Sequence, residues 1–301
     1  MRIQADDHHP QMVSALNQLL DSGGKRIRPA LVLLTGGMLG TDIEKLVLLA
    51  AAVELLHTAT LVHDDLIDGS LIRRGYPTLN AKWTAAATVL TGDFLFAQAA
   101  NLAADTESPA MLHLFAQTLA TIVNGEVTQM FSGRGHTDRQ DYYRRIYAKT
   151  ASLFETSTTA VAILSKSPSE IKEKIRRYGY EVGMAFQIMD DILDFTGEQA
   201  TLGKPVASDL RQGLITLPSL YYIEAHSDDL NMKNVLASDP CEESCIQKLL
   251  ISIRESGAIE RSQAEADQHI DRALEALVGL PDCVEQRSLE DLAKYIIRRN
   301  M

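Results

Sequence analysis

Three observations predict an all-α fold for this chain. Apolar residues recur at three- and four-residue steps along most of it, no convincing run of alternating apolar and polar residues intervenes, and helix-start signals stand at the breaks. Taken in order, the periodicity predicts helices near 10–21 and 26–38, then one near 42–69 whose start, Thr41-Asp42-Ile43-Glu44, has capping-box spacing. Helices near 78–104 and 109–132 follow, the second opened by Ser108-Pro109, and another covers 139–164. Ser167-Pro168-Ser169-Glu170 repeats the capping-box spacing, with Pro at the first position of a helix over 168–196. The stretch 197–214, GEQATLGKPVASDLRQGL, breaks the pattern: Gly197, Gly203, Pro205 and Gly213 mark it as a mobile loop. Helices near 215–225, 240–256, 259–278 and 284–298 complete the chain, and Asp239-Pro240 announces the second of these.

With 301 residues and 46% apolar content, the chain can bury a large core. No low-complexity linker divides it, so residues 1–301 read as one all-α domain, with its chemical motifs in about 20–220 and a more polar part beyond about 226. The three cysteines, Cys241, Cys245 and Cys283, suit free thiols in a reducing cytosol, and no further ligands join Cys241 and Cys245 to form a zinc site. A net charge of −11 argues against nucleic acid as a partner. The start, MRIQADDHHP, lacks the layout of a secretory signal, and His8 and His9 beside Pro10 read as a frayed polar segment. No transmembrane segment is expected, because the apolar run 46–66 is broken by Glu54, His57 and aspartates; the expected location is cytoplasmic.

The chemistry is written in a doubled acidic motif, Asp64-Asp65-Leu66-Ile67-Asp68 and Asp190-Asp191-Ile192-Leu193-Asp194, each inside an apolar helical stretch. On a helix, Asp64 and Asp68 lie one above the other with Asp65 beside them, and the second set repeats the arrangement. Like charges so spaced repel even on an exposed helix, and burial raises the cost steeply. Oxygen ligands of this kind suit Mg²⁺, which keeps waters and recruits substrate phosphates.

Basic elements answer them. Gly23-Gly24-Lys25-Arg26-Ile27-Arg28-Pro29 stands at a helix start, where free N–H groups favour anions and Lys25 and Arg28 point to one side. Arg73-Arg74-Gly75 follows the first motif closely enough to return beside it, and arginine forks match phosphate oxygens. Lys149-Thr150 sits inside a helical run, and Lys204 lies in the 197–214 loop. His57 precedes Asp64 by two turns and Gln187 precedes Asp190 by three residues, so each shares the face of its motif; a satisfied core histidine and an inter-helix glutamine are the plain alternatives.

These stretches resemble a known family. GGKRIRP, ELLHTATLVHDDLIDGSLIRRGYPT, GDFLFAQA, Lys149-Thr150, and FQIMDDILDFTG followed by LGKPVASDLRQG are similar to the trans-polyprenyl diphosphate synthases, in family order from about 20 to 220. The resemblance implies an isoprenoid-synthase helical bundle around a deep central cavity, usually a homodimer, with the two aspartate clusters facing each other across the mouth. It makes Asp64, Asp68 and Asp190 the principal Mg²⁺ contacts, with Asp65, Asp191 and Asp194 completing the clusters. It assigns Arg73, Lys149, Thr150, Gln187 and Lys204 to an allylic diphosphate, and Lys25, Arg28, His57 and Arg74 to isopentenyl diphosphate. The implied reaction is ionisation of the allylic C–O bond with about three Mg²⁺ stabilising the departing pyrophosphate. Attack by the isopentenyl double bond and loss of a proton follow. The 197–214 loop is expected to help exclude water. The stretch ahead of GGKRIRP is short for the family, which bears on the dimer edge.

Product length is expected to depend on Thr60 and Ala59, four and five residues before Asp64 and so about one helical turn deeper. In the family, bulky aromatics there close the floor; these small residues leave it open, predicting a product longer than farnesyl diphosphate. Val89 or Phe96 on the 78–104 helix could supply the floor instead, giving a geranylgeranyl or farnesyl product. Two complete aspartate motifs and the Lys25, Arg28, His57 set count against a terpene cyclase, a head-to-head synthase and a non-catalytic partner subunit. Arg298 and Arg299 read as a solvated tail.

Overall fold

The computed structural model describes residues 9–132, 135, 137–197, 206–237 and 242–298. Helices α1 (Pro10–Asp21), α2 (Ile27–Met38) and α3 (Ile43–Ile67) lead to a small hairpin, β1 (Ile72–Arg73) and β2 (Tyr76–Pro77). Then come α4 (Leu79–Lys82), α5 (Ala85–Ala104), α6 (Pro109–Phe131) and α7 (Arg139–Ile146), and a π-helical turn, Tyr147–Ala151, joins α7 to α8 (Ser152–Leu164). The chain continues through α9 (Ser169–Thr196), α10 (Ser208–Arg211), α11 (Leu217–Ala225), α12 (Leu230–Ala237), α13 (Glu243–Glu255), α14 (Ala258–Leu277) and α15 (Val284–Ile297). The fold is all-α, as the periodicity predicts.

The differences from expectation have local causes. The cap of α3 is Asp42, whose carboxylate accepts from Glu44 N–H at 3.0 Å, one residue later than the capping-box reading. Pro168 is the extended cap of α9 and not its first turn, while the Ser167 hydroxyl pairs with Ser165 at 2.7 Å. The helix expected over 78–104 is broken at Trp83 and Thr84, both extended, and Thr84 Oγ1 caps α5 by accepting from Ala87 N–H at 3.3 Å. Asp229 starts α12, an element the sequence reading lacks, by accepting from Met232 N–H at 2.8 Å. The start expected at Asp239-Pro240 lies outside the described residues.

Between β1 and β2, Arg73 pairs with Tyr76, and the two residues of the turn, Arg74 and Gly75, have φ of 54° and 80°. Positive φ at both central positions is what a two-residue type I′ hairpin turn demands, and it carries strain at the arginine. The hairpin returns Arg73 to the C-terminal end of α3.

α3 runs through the middle of one apolar cluster, against α2, α5 and α8. Its 25 residues are long and apolar enough to cross a membrane, with mean hydropathy 1.7 over the best window. Leu49, Val53 and Leu56 have no exposed surface, so one side of the helix is covered by its neighbours, while Ile43, Val47 and Ile67 are exposed. Burying each such side chain stabilises by about 1.5–3 kcal/mol. A second cluster gathers α9, α11, α13, α14 and α15. α9 approaches the π turn at Gly183, where a Cβ would stand 2.6 Å from the Cα of Ala151; only glycine fits.

Candidate active site

The mouth is assembled from helix ends. α3 delivers Asp64 and Asp65 in its last turn and Asp68 as its C-cap, the hairpin supplies Arg73 and Arg74, and the N-terminal approach to α2 supplies Lys25 and Arg28. The π turn presents Lys149 and Thr150, and the C-terminal half of α9 presents Gln187 and Asp190. All of these except Asp65 line one cavity of about 670 Å³, together with His57 and Thr60. An adjoining cavity of about 470 Å³ is lined in part by Asp68, Lys149, Gln187 and Asp191. Lys204 lies outside the described residues.

The first two aspartates of each motif divide in the same way, while of the third ones Asp68 lines the cavity and Asp194 is buried. Asp64 and Asp190 face the cavity, and burial pushes the Asp64 carboxyl up to about 6, against the pull of Lys149 3.9 Å away. Asp65, one residue and 100° further round the helix, instead accepts from Arg73 Nε at 2.7 Å. Asp191 turns inward: Oδ2 accepts from the Tyr142 hydroxyl and Oδ1 from Gln187 Nε2, each at 2.8 Å. Burial, with Asp209 adding to it, raises the Asp191 carboxyl to about 8. Asp194 binds the later part of the 197–214 stretch, accepting from Asp209 N–H at 3.1 Å through Oδ2 and from Ala207 N–H at 2.8 Å through its carbonyl.

Two cationic groups of the cavity have different partners. Lys149 Nζ lies 3.0 Å from Glu126 Oε1; burial works against its charge, but Asp64 and Glu126 raise its pKa. Arg28 stacks over Phe154 with its guanidinium carbon 4.6 Å from the ring centre. Burial lowers its pKa to about 10, against Glu54 and Asp190. Arg74 donates to the carbonyl of Gly23. Its guanidinium occupies the space that a Cβ on Gly24 would need, at 2.7 Å, so the second glycine of GGKRIRP makes room for the arginine of the hairpin. His57 is held neutral: burial and then Arg28, Arg74, Arg73 and Arg26 depress its pKa well below the usual imidazole value.

The two residues before the first motif part company. Thr60 lines the cavity wall with its hydroxyl donating to the carbonyl of His57 at 2.8 Å, while Ala59 is fully buried on the side of α3 that meets the other cluster helices.

Sequence reading missed three residues of this site. Glu126 is the only Asp, Glu, Lys or Arg in α6, a signal that was there to be used. Tyr142 stands seven residues before Lys149, two turns away on one helical run. Phe154, beneath Arg28, gave no signal of its own.

Among the described residues, no three acidic, histidine or cysteine side chains converge tightly enough to chelate a metal unaided. Mg²⁺ takes one or two carboxylates and completes its octahedron with water and phosphate oxygens. Asp64, Asp68 and Asp190 around one cavity, with Asp64 raised by burial, fit an ion that arrives with a diphosphate.

Residues 9–253 match the family model described as polyprenyl synthetase. The chain is 41% identical over 301 residues to heptaprenyl diphosphate synthase component 2 of Geobacillus stearothermophilus, covering 99% of this chain and 93% of that one. It is 36% identical over 293 residues to the geranyl-diphosphate-specific all-trans-nonaprenyl-diphosphate synthase of Rhodobacter capsulatus, covering 96% and 89%. The crystal structure of heptaprenyl diphosphate synthase from Staphylococcus aureus superposes with a TM-score of 0.92 at 35% identity, covering 100% of this chain and 94% of that one.

Proposed function

The chain belongs to the polyprenyl synthetase family and is a prenyltransferase, and we propose that it condenses isopentenyl diphosphate head to tail (1′–4) with an allylic diphosphate in a Mg²⁺-dependent reaction. One observation carries this reading: Asp64, Asp68 and Asp190 share a single cavity with Lys25, Arg28, Arg73, Arg74 and Lys149. One diphosphate needs a leaving-group site and the other a holding site, and a cavity lined by several cations can serve both.

In this proposal Lys149, Thr150, Gln187 and Arg73 hold the allylic diphosphate, and Lys204 joins them. Mg²⁺, held by Asp64, Asp68 and Asp190, neutralises the charge that builds on pyrophosphate as it departs. Asp65, Asp191 and Asp194 hold the protein parts around those three. Lys25, Arg28, His57 and Arg74 hold isopentenyl diphosphate, and a neutral His57 donates one hydrogen bond without adding charge. The 197–214 loop, tied to Asp194 through Ala207 and Asp209, would help close the mouth against water.

The product is longer than farnesyl diphosphate in this reading. The small side chains of Ala59 and Thr60 support it, as do the heptaprenyl and nonaprenyl products in the relatives' names. The whole chain acts as one domain. Val89 and Leu90 on α5 and Val123, Val127 and Met130 on α6 are 39–63% exposed, an apolar surface that supports a homodimer. A second reading rests on the relative named component 2, which points to a subunit that works with a different partner. Cys245 and Cys283 form no disulfide, in keeping with a cytoplasmic location.

The test is incubation of the purified chain with Mg²⁺, labelled isopentenyl diphosphate and dimethylallyl, geranyl or farnesyl diphosphate, followed by product sizing. Elongation by the chain alone supports the homomeric synthase. No elongation with any primer refutes it and leaves the partner-dependent subunit.

A further inference from the structure

Tyr142 lies outside every motif named above, yet it ends a chain of hydrogen bonds that reaches the cavity. Its hydroxyl donates to Asp191 Oδ2 at 2.8 Å, Gln187 Nε2 donates to Asp191 Oδ1 at 2.8 Å, and the Thr150 hydroxyl donates to Gln187 Oε1 at 2.6 Å. Three elements are joined in this way, α7, α9 and the π turn. Thr150 and Gln187 line the cavity, whereas Tyr142 and Asp191 are 1% and 3% exposed.

The chemistry of the donors fixes the direction of the chain. The Tyr142 hydroxyl and the Gln187 amide nitrogen both meet Asp191, and the Gln187 carbonyl oxygen meets Thr150, so the amide is turned one way. The second N–H of the Gln187 amide is then left for the cavities it lines. Asp191 can orient Gln187 only while its own rotation is fixed, and the second oxygen is fixed by Tyr142. Packing holds the tyrosine in turn: its ring meets Tyr143 edge-on at 5.3 Å, and Arg145 sits 5.7 Å above its centre.

From this geometry we infer that Tyr142 is a positioning residue for the allylic diphosphate, acting through Asp191 to set which face of the Gln187 amide, and with it which rotamer of the Thr150 hydroxyl, meets the substrate. The inference rests on the assignment of Gln187 and Thr150 to the allylic site. The Tyr142 hydroxyl stands 2.8 Å from Asp191 Oδ2, so it is placed to fix that oxygen. The second motif then has two tasks, with Asp190 facing the cavity and Asp191 serving as an internal acceptor. Without Tyr142, Asp191 loses one of its two donors while only 3% exposed, and it turns to recover a partner. Gln187 follows, because its nitrogen is bonded to that carboxylate.

Tyr142→Phe removes only the hydroxyl. We expect the KM for the allylic substrate to rise about tenfold, the loss of one hydrogen bond to a charged group, while the KM for isopentenyl diphosphate stays within about twofold. The Kd of inorganic pyrophosphate, measured by calorimetry with Mg²⁺ and no turnover, should weaken about tenfold as well. The double variant Tyr142→Phe with Gln187→Met should bind pyrophosphate no worse than Gln187→Met alone, because the first residue acts through the second. Multiplicative losses in that cycle, equal changes in both KM values, or no change in either overturn the inference. If Tyr142→Phe does not fold, Asp191→Asn takes its place in the same cycle. Failure of the wild-type chain to elongate any primer refutes the proposed function instead, and the calorimetric cycle still decides the role of Tyr142.

Discussion

Replacing Ala59 by Phe should shorten the product. Ala59 lies five residues before Asp64, about 7.5 Å deeper along α3 at 1.5 Å per residue. It has no exposed surface and belongs to the cluster in which α3 packs on α5 and α8, and α6 packs on both. An extended covalent chain advances about 1.2 Å per bond, so a four-bond isoprene unit spans about 5 Å. If the growing chain opens a path along α3 from the level of Asp64, one or two units pass above Ala59 and every later unit passes beside it. A phenyl ring there should stop growth at about two or three units. Overpacking should cost about 1–3 kcal/mol of stability, which a folded core of this size tolerates. The assay is elongation with labelled isopentenyl diphosphate, dephosphorylation and sizing of the alcohols, alongside a urea melt. A folded, active variant with an unchanged product distribution would refute the placement of the chain along α3. Thr60→Phe provides the contrast, since Thr60 faces the cavity beside His57: it should raise the KM for isopentenyl diphosphate more than it shortens the product.

Three further outcomes are expected. Asp64→Ala or Asp190→Ala should lower kcat by at least about a thousandfold with little change in the thermal melt, as removal of a charge-stabilising group does; retained turnover in either would contradict its assignment to Mg²⁺. His57 binds its proton less readily when folded than when unfolded, so the unfolded state gains protons first as pH falls below about 6.5, and stability drops by up to about 1.4 kcal/mol per unit. His57→Gln should therefore flatten the decline in urea stability between about pH 7 and pH 5 in metal-free buffer, and identical slopes would show that this imidazole is not held neutral. Gly183→Val puts a side chain 2.6 Å from Ala151 Cα and 2.8 Å from Phe154 Cβ, and should destabilise by more than about 2 kcal/mol in the same melt.

The helices and the reacting groups were legible because both follow a period. Apolar spacing marks the buried faces, and aspartates four apart share a face whatever surrounds them. What one residue of rotation does was harder to read. Asp65 and Asp191 are adjacent to cavity-facing aspartates, yet 100° round the helix they meet Arg73 and Tyr142, and only the tertiary neighbours decide that those contacts form. The break at Trp83 and Thr84 was hidden because Thr84 precedes three alanines that favour helix, with no acid at the third position to mark a capping box. Arg74 in a positive-φ turn departs from the glycine and asparagine usual there, so the hairpin carried half of its usual signal.

The π turn at Tyr147–Ala151 sets regularity against turnover. Deleting one residue from it would let α7 and α8 run on as a single unbroken helix, with better backbone hydrogen bonds than the wider turn has. The same deletion would rotate everything on one side by about 100° relative to the other, so Lys149 could not face Glu126 and Asp64 while Tyr142 still faced Asp191. Selection for heat resistance alone would favour the deletion, and selection for prenyl transfer would remove it. Length changes inside 147–151 are thus a place where laboratory evolution of this chain should show stability and rate moving in opposite directions.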